Sequence, residues 1–532
     1  MGICLIPGER DASLYQLAGG EPCVEDRRIA SEADGLHPYA AKTHRQGCQA
    51  EQVANSCRFP STFYKSSSPG QLEQGLLDKS LTIAATMGGK EINVELGSRR
   101  HLVVRWGEAV RTIPFIVIVY LLLAYGAYSA FTSQIPSAND FYPRWRGARA
   151  LIVEGRDPYS ADVTLQIQKD MYGRLAREDE DQVAFAYPLY VSLFVLPFAL
   201  LPYPLAQAFW LSTLILTALA ALIVMVRTLH WNPSPAGLVG LALWSVLFYP
   251  TARSILLGQF SVIVLALLAL ALWAIHRGNL FLAGCLLAFS TVKPQMVFLI
   301  VPLLLFSTWR RGQRRTLAGF LCTMAVLLIV TSALLPTWIP SFVSALASYQ
   351  SYTSIYREGR SPLGVLISFL LPSSLAWPAT VLLSFATLVY VSYAWIKSFR
   401  QQGDASLALF ITIIATLLLP AQTGTTNQVL LLLPILYWLA EPSIASTAKA
   451  ALSSLLLVAP WLLFLLTFAQ RNGEHAIMSI PLPLMAIALL WWTDRRRAHR
   501  QEHSPGGPLA PGLEDQGSRA PGDSQHEEYS RT

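Results

Sequence analysis

Charge is scarce in this chain of 532 residues: Asp, Glu, Lys and Arg make up 14% of it, against 53% hydrophobic residues. A soluble domain carries about 25% charged residues, so an ordinary water-facing globule is excluded before any window is read. Cysteine is sparse too. Cys4, Cys23, Cys48 and Cys57 lie in a polar N-terminal stretch, and Cys285 and Cys322 lie inside apolar runs. No CxxC pair occurs, which removes the zinc-ribbon and dithiol readings. No grouping of His, Asp and Glu has metal-ligand spacing, so neither a metal site nor a cofactor is expected. No basic run is interleaved with aromatic residues. The net charge of +7 therefore reads as loop and tail charge beside membrane spans, not as contact with nucleic acid. A secretory signal is also lacking, because residues 1–100 hold no basic segment followed by an apolar core.

What is present is apolar length. Runs near twenty residues recur from Ile113 to Trp492, and a membrane-spanning helix needs about twenty. The expected fold is all-α and polytopic, with a membrane domain over 105–495. Polar residues 1–100 are expected to be a mostly disordered extension, and Met87 is an alternative start. Residues 499–532, rich in Pro-Gly pairs, are expected to be a disordered tail.

Orientation follows from Lys and Arg. Arg99, Arg100, Arg105 and Arg111 precede the first run and place its start inside. Counting 187–201 as a full crossing would put Arg310, Arg311, Arg314 and Arg315 outside, against the rule. Treating it as a re-entrant or juxtamembrane helix, which Pro188, Pro197 and Pro202 favour, repairs the map. About twelve crossings result: 113–131, 205–226, 237–252, 260–275, 279–292, 295–309, 316–335, 376–397, 406–420, 427–440, 449–468 and 476–493, with 363–371 a second re-entrant piece. Both termini are then cytoplasmic. The long loop 132–186, Arg253, Gly258-Gln259, Lys293 and the turn 422–427 face the extracytoplasmic side.

On that side stand the residues that carry chemistry. Asp140, in Asn139-Asp140-Phe141-Tyr142, follows the first span at the head of the polar loop, where a carboxylate costs little and can act on something held at the membrane surface. It also fits a helix-start signal, Ser137-Ala-Asn-Asp140. Lys293 is a lone cation at a turn where topology asks for none, which points to an anionic partner or to snorkelling. Arg144, Arg146 and Arg149 suit either headgroup contact or an acceptor. Asp157-Pro-Tyr159 reads as a turn and anchor. Gln259 and Gln295 serve sugars or helix ends. The run Glu178–Asp181 reads as solvated.

The order of these signals resembles glycosyltransferase family 87 of the GT-C class, which includes polyprenol-phosphate-mannose-dependent α-mannosyltransferases. The matching pieces are Asp140-Phe-Tyr, Ala148-Arg-Ala-Leu151, Gly155-Arg-Asp-Pro-Tyr159, Tyr187-Pro-Leu with Pro197, Gly258-Gln259, Ala283-Gly284 and Lys293-Pro-Gln295. They span about 105–440, and Leu189 stands where the family usually has a second proline. The resemblance implies a GT-C membrane hexosyltransferase moving mannose or a similar hexose from a polyprenyl-phosphate donor to a glycolipid or glycan acceptor in the cell membrane. Asp140 would be the general base. Lys293 and Arg253 would meet the donor phosphate, and Gln259, Gln295, Tyr187, Arg144 and Asn427 would line the substrate. A transporter or flippase of lipid-linked sugars is the alternative, favoured by two matching halves with broken spans; no internal repeat is evident.

Overall fold

Helix length decides which parts of this chain can cross a bilayer. The computed structural model describes residues 81–87, 90–96, 99–134, 140–177, 181–352, 361–400, 404–421, 423–471 and 474–502. The chain divides into two units, Met1–Ile116 and Val117–Thr532.

In the first unit, strands β1 (Leu81–Met87) and β2 (Lys90–Leu96) pair antiparallel, with Leu81 opposite Leu96 and Met87 opposite Lys90. This hairpin lies ahead of the expected membrane domain, which holds no strand among its described residues. Its signal is in the sequence: Ile92, Val94 and Leu96 alternate with polar residues, and the pair Gly88-Gly89 separates the two runs. The rest of the expected extension, residues 1–80, and most of the expected tail, residues 503–532, lie outside the described residues.

Helix α1 (Arg99–Ala127) leads into a π-helical turn, Tyr128–Thr132. The polar segment that follows is not irregular. It folds as α2 (Tyr142–Ile152) and α3 (Ala161–Tyr172), and α2 packs on α4 (Val191–Ala199). Next come α5 (Tyr203–Thr228), α6 (Pro235–Leu247), α7 (Tyr249–Leu256), α8 (Ser261–His276) and α9 (Leu280–Ser290). Helices α10 (Ile300–Arg310), α11 (Arg315–Leu334), α12 (Trp338–Tyr352), α13 (Pro362–Leu370) and α14 (Ser373–Phe399) follow. The chain closes with α15 (Ala405–Leu418), a 3-10 helix Thr425–Leu431, α16 (Leu432–Ala440), α17 (Ser446–Arg471) and α18 (Pro481–Glu502).

Among the described residues, six stretches are long and apolar enough to cross a membrane: Ile113–Thr132, Tyr203–Thr228, Arg315–Leu334, Ser373–Phe399, Ser446–Phe468 and Ala476–Arg496. Helices α6 and α7, bent by 60° at Phe248, make a seventh if they count as one span. The expected twelve crossings are not all matched by helices of that length. Helix α8 has 16 residues, α15 has 14, and α9 and α10 have 11 each. At about 1.5 Å per residue these fall short of a hydrocarbon core about 30 Å thick. The expected crossing 237–252 is interrupted by a backbone break at Phe248. Helices α4 and α13 have nine residues each and are also too short to cross.

Small residues let the short helices pack closely. A Cβ on Gly284 of α9 would sit 2.0 Å from the Thr316 carbonyl oxygen of α11, and one on Gly319 of α11 would sit 2.1 Å from that of Phe281. Such backbone-to-backbone approach is how helices associate where no water drives them together. The Ala283-Gly284 pair is thus explained by packing.

The 132–186 segment is braced by its own charges. Buried Arg146 donates from both terminal nitrogens to the Glu154 carboxylate, at 2.9 and 3.0 Å, and to Gln166 Oε1 at 2.6 Å. Arg156 bonds Glu154 at 3.0 Å and Asp162 at 2.5 Å. Arg149 donates to the Ala199 carbonyl at 2.9 Å, which fastens α2 to the end of α4. Asp157 Oδ1 accepts from the Tyr159 amide, and the Tyr159 hydroxyl donates to the Tyr187 carbonyl, so Asp157-Pro-Tyr159 is a turn that anchors the segment.

Candidate active site

Asp140 is presented by the residue after it. Phe141 is fully buried and stacks on Trp210 of α5, with ring centroids 4.7 Å apart and planes 9° from parallel. The Trp210 indole N–H donates to the Gly258 carbonyl at 2.9 Å. One aromatic stack therefore ties the start of α2 to the turn between α7 and α8. Gly258 has φ +68°, a left-handed conformation that costs a side-chain-bearing residue about 1–2 kcal/mol. It turns the chain so that Gln259 meets Asp140.

The meeting is close. Gln259 Nε2 donates to Asp140 Oδ2 at 2.6 Å, and Gln259 Oε1 accepts from Lys293 Nζ at 2.7 Å. Lys293 also donates to Ser261 Oγ at 2.9 Å, and the Ser261 hydroxyl reaches Asn427 Oδ1 at 3.2 Å. Carboxylate and ammonium are thus joined through one neutral amide. Five segments supply the chain of bonds: the start of α2, the α7–α8 turn, the first residue of α8, the residue before Pro294, and the 3-10 helix at 425–431.

Lys293 sits where it does because α9 stops at Ser290 and Pro294 has no amide N–H to continue a helix. The Tyr190 hydroxyl donates to the Thr291 carbonyl at 3.0 Å and holds the turn. Lys293 is only 4% exposed. Burial pushes its ammonium down to about 7; the Arg144 charge adds to that and Asp140 opposes it. An ammonium so placed, with only neutral oxygens bonded to it, gains from an incoming anion.

Arg144 lies beside this chain, donating to the Tyr187 hydroxyl at 2.8 Å with its guanidinium 4.3 Å from that ring's centroid. Among the three arginines of α2, Arg146 and Arg149 brace the scaffold and Arg144 faces the site. Gln295 is half-buried in the 3-10 turn Pro294–Met296, and no hydrogen bond among the described residues ties it to Lys293 or Asp140. Among the described residues no three His, Cys, Asp or Glu gather as metal ligands. Of the run Glu178–Asp181, the first three residues lie outside them.

Arg253 is placed differently from Lys293. Its Nη2 lies 3.7 Å from Glu474 Oε2, and its guanidinium lies 5.2 Å from the Phe464 ring centroid. Glu474 Oε1 accepts from the Tyr249 hydroxyl at 2.8 Å and from the Thr425 hydroxyl. Sequence reading missed Glu474. Its signal was a lone carboxylate after Asn472-Gly473 in the turn between the last two apolar runs, on the same side of the charge map as Asp140. Ser261 was missed as well, because a serine opening an apolar run carries no pattern of its own.

The model of glycosyltransferase family 87 matches residues 185–420. The match takes in Tyr187, Arg253, Gly258-Gln259, Lys293 and Gln295; Asp140, Asn427 and Glu474 fall outside it. No curated protein matches the chain.

Proposed function

We propose that this membrane protein, whose residues 185–420 match the model of glycosyltransferase family 87, transfers a hexose, mannose or a close relative, from a polyprenyl-phosphate donor to a glycolipid or glycan acceptor. The observation that carries this reading is the bridge from Asp140 through Gln259 to Lys293. Glycosyl transfer from a lipid phosphate needs a base at the acceptor oxygen and a cation at the departing phosphate, close together but not neutralising one another. A direct ion pair would satisfy both charges. The amide between them supports keeping each available.

In this mechanism the acceptor hydroxyl attacks the anomeric carbon as Asp140 takes its proton. The bond from that carbon to the phosphate oxygen breaks, and the lipid phosphate leaves with the electron pair. Lys293, reinforced by Arg144, meets the negative charge that grows on the phosphate, the kind of stabilisation that lowers such barriers most. Arg253 carries a charge offset by Glu474 and is less suited to the phosphate than its sequence position implied. The basic residues of the opposite turns support an extracytoplasmic site and cytoplasmic termini.

The test is transfer of labelled hexose from its polyprenyl phosphate to extracted glycolipid by membranes carrying the protein. Transfer that Asp140→Asn abolishes is the expected result. Movement of the intact lipid-linked sugar across the bilayer without transfer would replace this reading with a flippase.

A further inference from the structure

A second polar cluster lies next to the Asp140 chain and takes no part in it. Tyr249 and Thr425 aim their hydroxyls at one oxygen of Glu474. The other oxygen faces Arg253 across 3.7 Å, beyond hydrogen-bond reach. No hydrogen bond to a described residue engages the Arg253 guanidinium, and its Nε is buried without a partner. Side-chain exposures of 25% for Arg253 and 15% for Glu474 leave both groups partly accessible. The cluster is thus short of one acceptor for the guanidinium and one donor for the carboxylate.

Its position is set by the elements that hold the first site. Arg253 lies six residues before Gln259, at the end of α7. Thr425 lies two residues before Asn427 on the same 3-10 helix, about 4 Å along its axis at the 3-10 rise. The Ser254 hydroxyl, next to Arg253, reaches the Thr426 carbonyl at 3.0 Å and locks the two elements together.

We propose that Arg253 and Glu474 form a subsite for two neighbouring hydroxyls of a sugar ring, beside the phosphate-facing Lys293. One hydroxyl donates to Glu474 Oε2 and the next accepts from the Arg253 guanidinium, which fills both deficits at once. A phosphate would fill only the arginine and would be repelled by the carboxylate. The inference rests on the reading of the protein as a sugar transferase and deepens it: the first cluster handles charge and the second recognises hydroxyl pattern. The sugar comes from the donor or from the acceptor, and two ligand series tell them apart.

The experiment uses the full-length protein in lipid nanodiscs. Dissociation constants are measured for a short-chain citronellyl phosphate hexose and its singly deoxygenated congeners, and for an alkyl hexoside acceptor with the same deletions. In the wild type, removing one of two adjacent hydroxyls weakens binding about tenfold or more, as expected for a hydrogen bond to a charged group. In Glu474→Gln and in Arg253→Lys the same deletion costs less than about threefold, because the partner is already impaired. Coupling in one series assigns the subsite to that sugar. The proposal is overturned if no deletion matters in the wild type, or if every penalty persists undiminished in both variants. Transfer is assayed on the same samples. Transfer without coupling removes the subsite alone, and coupling without transfer leaves the subsite and removes the transferase reading.

Discussion

Two groups of charged side chains begin within a few residues of each other and end in opposite arrangements. Arg146, Glu154, Arg156 and Asp162 find one another inside the 132–186 segment, each cation directly on a carboxylate at 2.5–3.0 Å. Asp140 and Lys293, 153 positions apart, are held at arm's length by the Gln259 amide. Direct pairing uses charge to hold a fold together and leaves nothing for a ligand. Separation by a neutral group keeps both charges available for chemistry.

The sharpest break of this comparison is Asp140→Asn, which keeps size and the hydrogen bond from Gln259 but removes the proton acceptor. Turnover should fall at least about 10²-fold while the protein still inserts and folds. Near-normal turnover would move Asp140 to the structural group.

Lys293→Ala should follow, with turnover or donor affinity lost, and Lys293→Arg should restore part of it because the charge persists. A pH profile sharpens the point. An ordinary lysine titrates near about 10.4, whereas burial brings Lys293 to about 7. Above that value the free enzyme loses its cation, so donor affinity should fall as pH rises through about 7, and Lys293→Arg should flatten the fall. A wild-type profile that stays level to pH 9 would contradict a cationic role.

Gly284→Ala tests the framework behind both groups. The new methyl would collide with the Thr316 backbone, so α9 and α11 must shift at a cost of about 1–3 kcal/mol. The thermal midpoint should drop, with activity per folded molecule affected less than in the Asp140 variant. An unchanged midpoint would mean the helices separate freely.

Glu154→Gln should have the smallest effect on turnover. Its carboxylate is 30% exposed but Arg146 is only 6% exposed; glutamine keeps an oxygen for the buried guanidinium while removing the charge, so a stability loss of about 1–2 kcal/mol is expected. Turnover should stay near wild type. A large loss of turnover with intact stability would place this group in the chemistry after all.

Composition alone settled that the chain lives in a membrane, because too few charges exist to cover a soluble surface. Sequence order also singled out Asp140, Gln259 and Lys293, since a carboxylate, an amide after a turn glycine and a lone lysine each break an apolar background. Tertiary structure decided what each one touches. That α2 would spend Arg146 and Arg149 on scaffolding and keep Arg144 for the site depends on where Glu154, Gln166 and Ala199 come to rest. Which apolar runs are single spans depends on helix lengths and on the backbone break at Phe248, invisible to a hydropathy window. Glu474 joins Arg253 from 221 positions away. Pairing over such distances is a property of packing: side chains remote in sequence meet only when helices close on one another, and no local pattern records which ones will.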